Sequence, residues 1–132
     1  MRVLIADPSL QMCERLEAVF LDIPGLTVVG KSHSVHDTVK MINKLKPDVV
    51  ILEIQMNDGG GCTFVRQVKR EMFAPVVVIL TNFSASQYRK DFLDAGADFY
   101  FDKSFEFEKA VEVLEELQIS VLPSESQEFE MS

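Results

Sequence analysis

Short apolar runs recur along the chain at Val3 to Ala6, Leu26 to Val29, Val49 to Leu52, Val76 to Leu80 and Ala97 to Phe101. Between them the apolar residues take helical spacing. The first intervening stretch sets Met12, Leu16, Val19 and Phe20 at i, i+4, i+7 and i+8, and the second repeats this with Val35, Val39, Ile42 and Leu45. The third carries Phe64, Val65, Val68 and Met72, the fourth Tyr88, Phe92 and Leu93, and the last Phe107, Val111, Leu114 and Leu117. The unbroken run Val49 to Leu52 fits a strand covered on both faces. Five strands therefore alternate with five helices, which calls for a parallel sheet, right-handed crossovers and helices on both faces.

Local chemistry punctuates the same pattern. Ser34 with Asp37, and Ser84 with Gln87, each offer a side-chain oxygen to the unpaired amides of a helix start. Pro24-Gly25, Lys46-Pro47 and Ala95-Gly96 close helices before strands, and Pro75 opens a strand where its missing N–H does little harm. Ser104 is a candidate N-cap for the last helix, with Glu106 and Glu108 near its positive end. Residues 1–121 read as one domain. Residues 122–132 read as an acidic, disordered tail, because three glutamates and three serines with Phe129 and Met131 bury too little to offset the entropy of ordering.

Composition narrows the function classes. A net charge of -8 over 132 residues argues against nucleic acid, whose binding needs a basic surface to release counterions, and favours a protein partner. No apolar run approaches the roughly 18 residues of a membrane span and no signal peptide precedes Asp7, so the expected location is the cytoplasm. Cys13 and Cys62 show no Cys-x-x-Cys spacing and read as reduced structural residues. His33 and His36 read as surface residues. Gly59-Gly60-Gly61 lacks the spacing and lysine of a phosphate-binding loop and reads as a turn.

The sharper signal lies at the strand ends. The run Pro47-Asp48-Val49-Val50-Ile51-Leu52-Glu53-Ile54-Gln55-Met56 finishes on a single carboxylate, Glu53, which must emerge at the carboxyl edge of the sheet, where open α/β folds build their sites. Together with Arg2-Val3-Leu4-Ile5-Ala6-Asp7, Val78-Ile79-Leu80-Thr81 and Gly96-Ala97-Asp98-Phe99-Tyr100-Phe101-Asp102-Lys103, it resembles the receiver domain of bacterial response regulators, the chemotaxis response regulator among them, over residues 1 to about 121. The resemblance implies a flavodoxin-like (βα)5 fold, doubly wound, with strand order 2-1-3-4-5. It also implies a switch in which paired acids and an aspartate hold Mg²⁺ and a histidine kinase donates phosphate.

Against that pattern the chain departs at two decisive positions. Asp7 matches the first acid of the pair, but Pro8 stands where the second belongs, and Glu53 stands at the phosphoacceptor aspartate. Mg²⁺ demands near-ideal octahedral oxygen geometry, so the remaining candidates, Asp7, Glu53 and the main-chain carbonyl of Gln55, are expected to bind it weakly. Glu53 also projects its oxygen about 1.5 Å farther than an aspartate would, an error that costs phosphoryl transfer about a hundredfold. Thr81, Tyr100 and Lys103 match the switch threonine, switch aromatic and lysine of the family, and Glu53 is long enough to approach the Lys103 ammonium directly. Asn57, Asn82 and Ser104 depart at lesser positions.

The resulting expectation is a non-enzymatic, stand-alone receiver in two-component or phosphorelay signalling that acts by protein contact without conventional aspartyl phosphorylation. Its partners would be a histidine kinase or a downstream effector on the face of the fourth helix, fifth strand and last helix, roughly residues 84 to 117, with a homodimer through that face as another outcome. Two alternatives stand beside it: a weakly phosphorylatable response regulator and a small flavodoxin-like nucleotide or flavin binder.

Overall fold

The computed structural model describes residues 1–83 and 85–121, with Val121 by its backbone alone. Its elements run β1 (Arg2–Ala6), α1 (Leu10–Phe20), β2 (Thr27–Ser32), α2 (Val35–Leu45), β3 (Val49–Leu52), β4 (Gln55–Met56), β5 (Gly59–Gly60), α3 (Gly61–Lys69), β6 (Val76–Thr81), α4 (Ser86–Asp94), β7 (Phe99–Asp102) and α5 (Phe107–Val121). The main sheet is parallel with order β2-β1-β3-β6-β7, which is the order 2-1-3-4-5 once the two-residue strands β4 and β5 are set apart in their own ladder. No helix of the described residues is long and apolar enough to cross a membrane.

Two cores lie on opposite faces of the sheet, and β1, β3, β6 and β7 feed both, because successive side chains point to opposite sides. Val49 and Ile51 of β3 join Val3, Ile5, Val78 and Leu80 against Leu16 and Phe20 of α1 and Leu114 of α5. Val50 and Leu52 join Leu4, Ala6, Val77 and Ile79 against Ile42 of α2, Phe64, Val65 and Val68 of α3 and Phe92 of α4. All four residues of β3 are buried, as an unbroken apolar run requires of a central strand.

Several helix details differ from the periodicity. α3 stops at Lys69, so Met72 lies beyond it and is 88% exposed, as is most of Phe73; the turn after Arg70 carries both side chains away from the core. On α4 only Phe92 is buried, while Tyr88 and Leu93 face outward. Ser34 caps α2 as expected, accepting from the Asp37 amide at 3.0 Å. A second cap comes from far away in sequence: the Asp58 carboxylate accepts from the amides of Val35 at 2.8 Å and His36 at 3.1 Å. Those two amides hold the Asp58 carboxyl below its ordinary range. The expected Ser84 cap and the tail 122–132 lie outside the described residues.

Ser104 is not the cap of α5. The helix begins at Phe107, and Asp102 Oδ1 instead accepts from the amides of Ser104 at 2.8 Å and Phe105 at 2.9 Å, closing the turn that leads into it. The glycine run is not itself the turn: Gly59–Gly60 form β5 and Gly61 opens α3, while Asn57 and Asp58 make the turn from β4 to β5, and the φ of Gly60 is +125° with no room for a side chain, since a Cβ there would meet the Ile54 carbonyl oxygen at 2.3 Å.

Candidate functional site

The acids and the lysine singled out in the sequence converge at the carboxyl edge of the sheet. The ladder extends one rung past each strand: the amide of Asp7 donates to Ser32 O at 3.0 Å, that of Glu53 to Ala6 O at 2.8 Å and that of Lys103 to Thr81 O at 2.8 Å. Each residue is thus held by a neighbouring strand rather than by a loose loop. Asp7 is 3% exposed, Glu53 5%, and Thr81 fully buried.

One ammonium serves both acids. Lys103 Nζ lies 2.7 Å from Asp7 Oδ2 and 2.7 Å from Glu53 Oε1. The remaining oxygens are engaged as well: Asp7 Oδ1 accepts from the Ser9 amide at 2.8 Å and Glu53 Oε2 from the Gln55 amide at 3.2 Å. Burial works against the charge on Lys103, yet its hydrogen bonds to Asp7 and Glu53 prevail and raise its pKa above the ordinary lysine value. A buried ion pair of this kind gains less than its Coulomb energy suggests, but removing one member leaves the others uncompensated.

The other switch positions sit beside this cluster without joining its ion pairs. Thr81 Oγ1 accepts from the Phe83 amide at 3.4 Å. Tyr100 is turned inward, 2% exposed, and donates its hydroxyl proton to the Phe83 carbonyl. Burial and the nearby charge of Glu53 push the Tyr100 hydroxyl up to about 12. The Arg89 guanidinium lies over its ring at 5.5 Å and pairs with Glu106 at 2.5 Å, while Glu106 Oε1 also accepts from the Asp102 amide at 3.1 Å. Asn82 and Ser104 meet at 3.4 Å on the exposed rim.

Several participants escaped the sequence reading. Ser9 caps α1, accepting from Met12 N at 3.1 Å, and orders Asp7; a serine before an amphipathic run was the available signal. His33 is not a plain surface residue: it is half-buried, with Nδ1 2.9 Å from the Asp7 carbonyl oxygen and 3.9 Å from Cys13 Sγ. β2 carries it there, and no local spacing could reveal that. His36 is exposed, and both cysteines are free. Burial, then the Asp7 charge, raises the Cys13 thiol pKa. Among the described residues no group of three or more His, Cys, Asp or Glu side chains is arranged to hold a metal ion.

Comparison with known proteins agrees with this fold. The family model for the response regulator receiver domain matches residues 3–115. The chain is 31% identical over 105 residues to a protein-glutamate methylesterase/protein-glutamine glutaminase of Alkalilimnicola ehrlichii, covering 79% of this chain and 27% of that protein. It is 28% identical over 116 residues to the response regulator GacA of Pseudomonas aeruginosa, covering 88% of this chain and 54% of that protein. The chain thus spans about half or less of the length of the curated relatives it matches. Among solved structures, a LuxR-family two-component response regulator from an Aurantimonas species superposes with a TM-score of 0.82 at 21% identity, covering 90% of this chain and 85% of that one. The response regulator domain of Thermotoga maritima CheB gives 0.78 at 23% identity, covering 91% and 94%.

Proposed function

The chain belongs to the response regulator receiver domain family, and on that premise we propose that it signals by protein contact without conventional aspartyl phosphorylation. The double engagement of Lys103 supports this reading most directly. The lysine that the family uses toward a phosphoryl group is already held at 2.7 Å by two internal carboxylates. Each Glu53 oxygen accepts one hydrogen bond, from Lys103 or from the Gln55 amide, which lowers its nucleophilicity toward phosphorus and fixes its direction. Phosphoryl transfer is largely positioning and charge stabilisation, and this arrangement supplies neither for an incoming donor.

Magnesium does not fit the donor set. All four carboxylate oxygens of Asp7 and Glu53 already have partners, Pro8 contributes no oxygen, and the Lys103 ammonium stands where an added cation would be repelled. In this reading Lys103 provides internally the positive charge that a metal would bring, and the inward Tyr100 is held by its hydrogen bond to Phe83 and by the Arg89 guanidinium over its ring. The buried switch elements hold the neighbouring surface in one fixed state for recognition. No catalytic role falls to the described residues, and the activity printed in the methylesterase's name belongs to a protein of which this chain spans 27%.

The contact surface in this reading is the face of α4, β7 and α5. It carries partly exposed Phe83, Tyr88 and Leu93, apolar groups suited to a signalling-protein partner or a second copy of the chain. Family membership favours this function over a nucleotide or flavin binder. Incubation with acetyl phosphate and Mg²⁺ followed by intact-mass measurement is the test: an unmodified mass is expected, and a hydroxylamine-labile phosphoryl adduct would instead establish the weakly phosphorylatable alternative.

A further inference from the structure

The layer formed by α2 and α3 stands apart from the rest of the molecule in charge. Residues 35–46 and 61–71 hold six lysines and arginines against two carboxylates, Asp37 and Glu71, in a chain whose net charge is -8. Lys40, Lys44, Lys46, Arg66 and Arg70 are exposed, and of the six only Lys69 enters an ion pair among the described residues, with Asp98 at 2.8 Å. Asp58 also lines the seam between the helices, but its carboxylate is committed to the amides of Val35 and His36 at the start of α2.

Two hollows open along this seam. One of about 380 Å³ sets Val35 and Val39 beside Lys40 and Gln67, and one of about 170 Å³ sets Ile42 beside Lys46, Met72 and Phe73. Met72 is 88% and Phe73 73% exposed, so two neighbouring apolar side chains stand in water beside exposed cations. A single exposed apolar residue is ordinary, whereas apolar and charged groups gathered on one seam mark an interaction surface. Its complement is a segment in which carboxylates alternate with apolar side chains. The chain carries one, Glu128-Phe129-Glu130-Met131, within residues 122–132, which contain three glutamates and no Lys, Arg or His. Laid out extended, such a segment turns its acids to one side and its apolar residues to the other. It is also within reach. α5 brings the chain to the amino edge of the sheet, where Gln118 lies against Gly25, and Met72 and Phe73 precede β6 at that same edge. The stretch 122–129 extends to about 26 Å, enough to round the edge between helix layers about 10 Å thick. Lying back along α5 is opposed by its exposed Glu108, Glu112, Glu115 and Glu116.

We propose that residues 125–131 dock on the α2–α3 seam of the same chain, with Phe129 and Met131 against Met72, Phe73 and the apolar hollows and the glutamates beside Lys40, Lys44 and Lys46. Alone the segment buries too little to order itself, and the seam supplies the missing apolar contact and the opposite charge. This surface is distinct from the face of α4, β7 and α5, and its test does not depend on how the Lys103 cluster works.

The test compares methyl and amide NMR spectra of the full chain with those of its Phe129→Ser/Met131→Ser variant in dilute solution. Differences are expected at Val35, Val39, Met72 and Phe73, with NOEs from the Phe129 ring to the Met72 methyl in the wild type alone. Unchanged seam resonances overturn the proposal. So do NOEs found only between differently labelled copies, which would assign the seam to a second molecule. A peptide of residues 122–132 added to the variant should bind with a Kd at or below about 1 mM, the affinity that a millimolar effective concentration converts into a docked tail. Adding Lys40→Glu/Lys44→Glu to that variant should weaken the peptide at least about fivefold, with the gap closing in high salt. Adding Phe73→Ser instead should weaken it in a salt-independent way. These side chains are exposed, so the fold is retained, and equal peptide affinity across the three chains sinks the assignment.

Discussion

Both edges of the sheet carry carboxylates bonded to backbone amides, yet they differ in consequence. At the amino edge Asp48 accepts from the Arg2 amide at 2.7 Å, and Asp98 accepts from the Val77 amide and the Lys69 ammonium, each at 2.8 Å. Asp48 is exposed and the Asp98 side chain is 37% exposed, so water shares the charge. At the carboxyl edge Asp7 and Glu53 hold amides in the same manner but are buried and depend on a single ammonium, Lys103. The same residue types therefore fasten strand starts at one edge and build a charged core at the other. Burial decides which.

Lys103→Met should break the comparison most severely. It leaves two buried carboxylates uncompensated, at a cost of about 3–5 kcal/mol near neutral pH, and urea unfolding should show the deficit shrinking as acid neutralises them. A loss under about 1 kcal/mol would mean the carboxyl edge is as well solvated as the amino edge. Alkali should weaken the same region in the wild-type chain. Tyr100 titrates at about 12 against 10.0 for the free group, and Lys103 is raised above 10.5, so the native state binds both protons more tightly than the unfolded one. That stabilisation is complete below pH 10 and is lost as pH climbs toward 12, which thermal unfolding across this range measures.

Glu53→Gln sharpens the contrast with a smaller change. Lys103 keeps Asp7 as its counter-ion, but the single Gln oxygen can accept from only one of the Lys103 and Gln55 donors, so stability should fall by about 1–3 kcal/mol. Ultraviolet titration of the two tyrosines should show Tyr100 falling below about 12, because Glu53 is the second cause of its elevation after burial. An unchanged Tyr100 titration together with unchanged partner affinity would count against a fixed state maintained by Glu53. The smallest effect belongs to the other edge: Asp98→Asn keeps an acceptor for the Val77 amide and loses only a half-exposed ion pair, within about 1 kcal/mol by denaturant unfolding.

Legibility follows the same division between local and distant. The four-residue apolar run of β3 and the helical spacing of Leu16 and Phe20 announced buried elements because one period places each side chain on a covered face. Met72 misled, since its spacing continued a helix that the turn after Arg70 had already ended. Ser104 misled in a similar way: Asp102, two residues earlier, captured the amides that a capping serine would have influenced. Glu53 stood out by its place at a strand end and Asp7, Thr81, Tyr100 and Lys103 by their match to the family's motifs, whereas Ser9, Asp58, Arg89 and Glu106 work through partners that the motifs do not name.

Taken alone, the sequence determined the alternation of strands and helices, the absence of a side-chain oxygen at Pro8 and the extra methylene at Glu53, because these are properties of single residues and short periods. Only the tertiary structure decided that one ammonium would lie within 2.7 Å of two acids, that His33 would lie against the Asp7 carbonyl, and that the Gln118 amide would be buried against Gly25. The Lys103–Glu53 contact joins residues 50 positions apart, and its distance is set by strand order and register across β1, β3, β6 and β7 rather than by any neighbour in the chain.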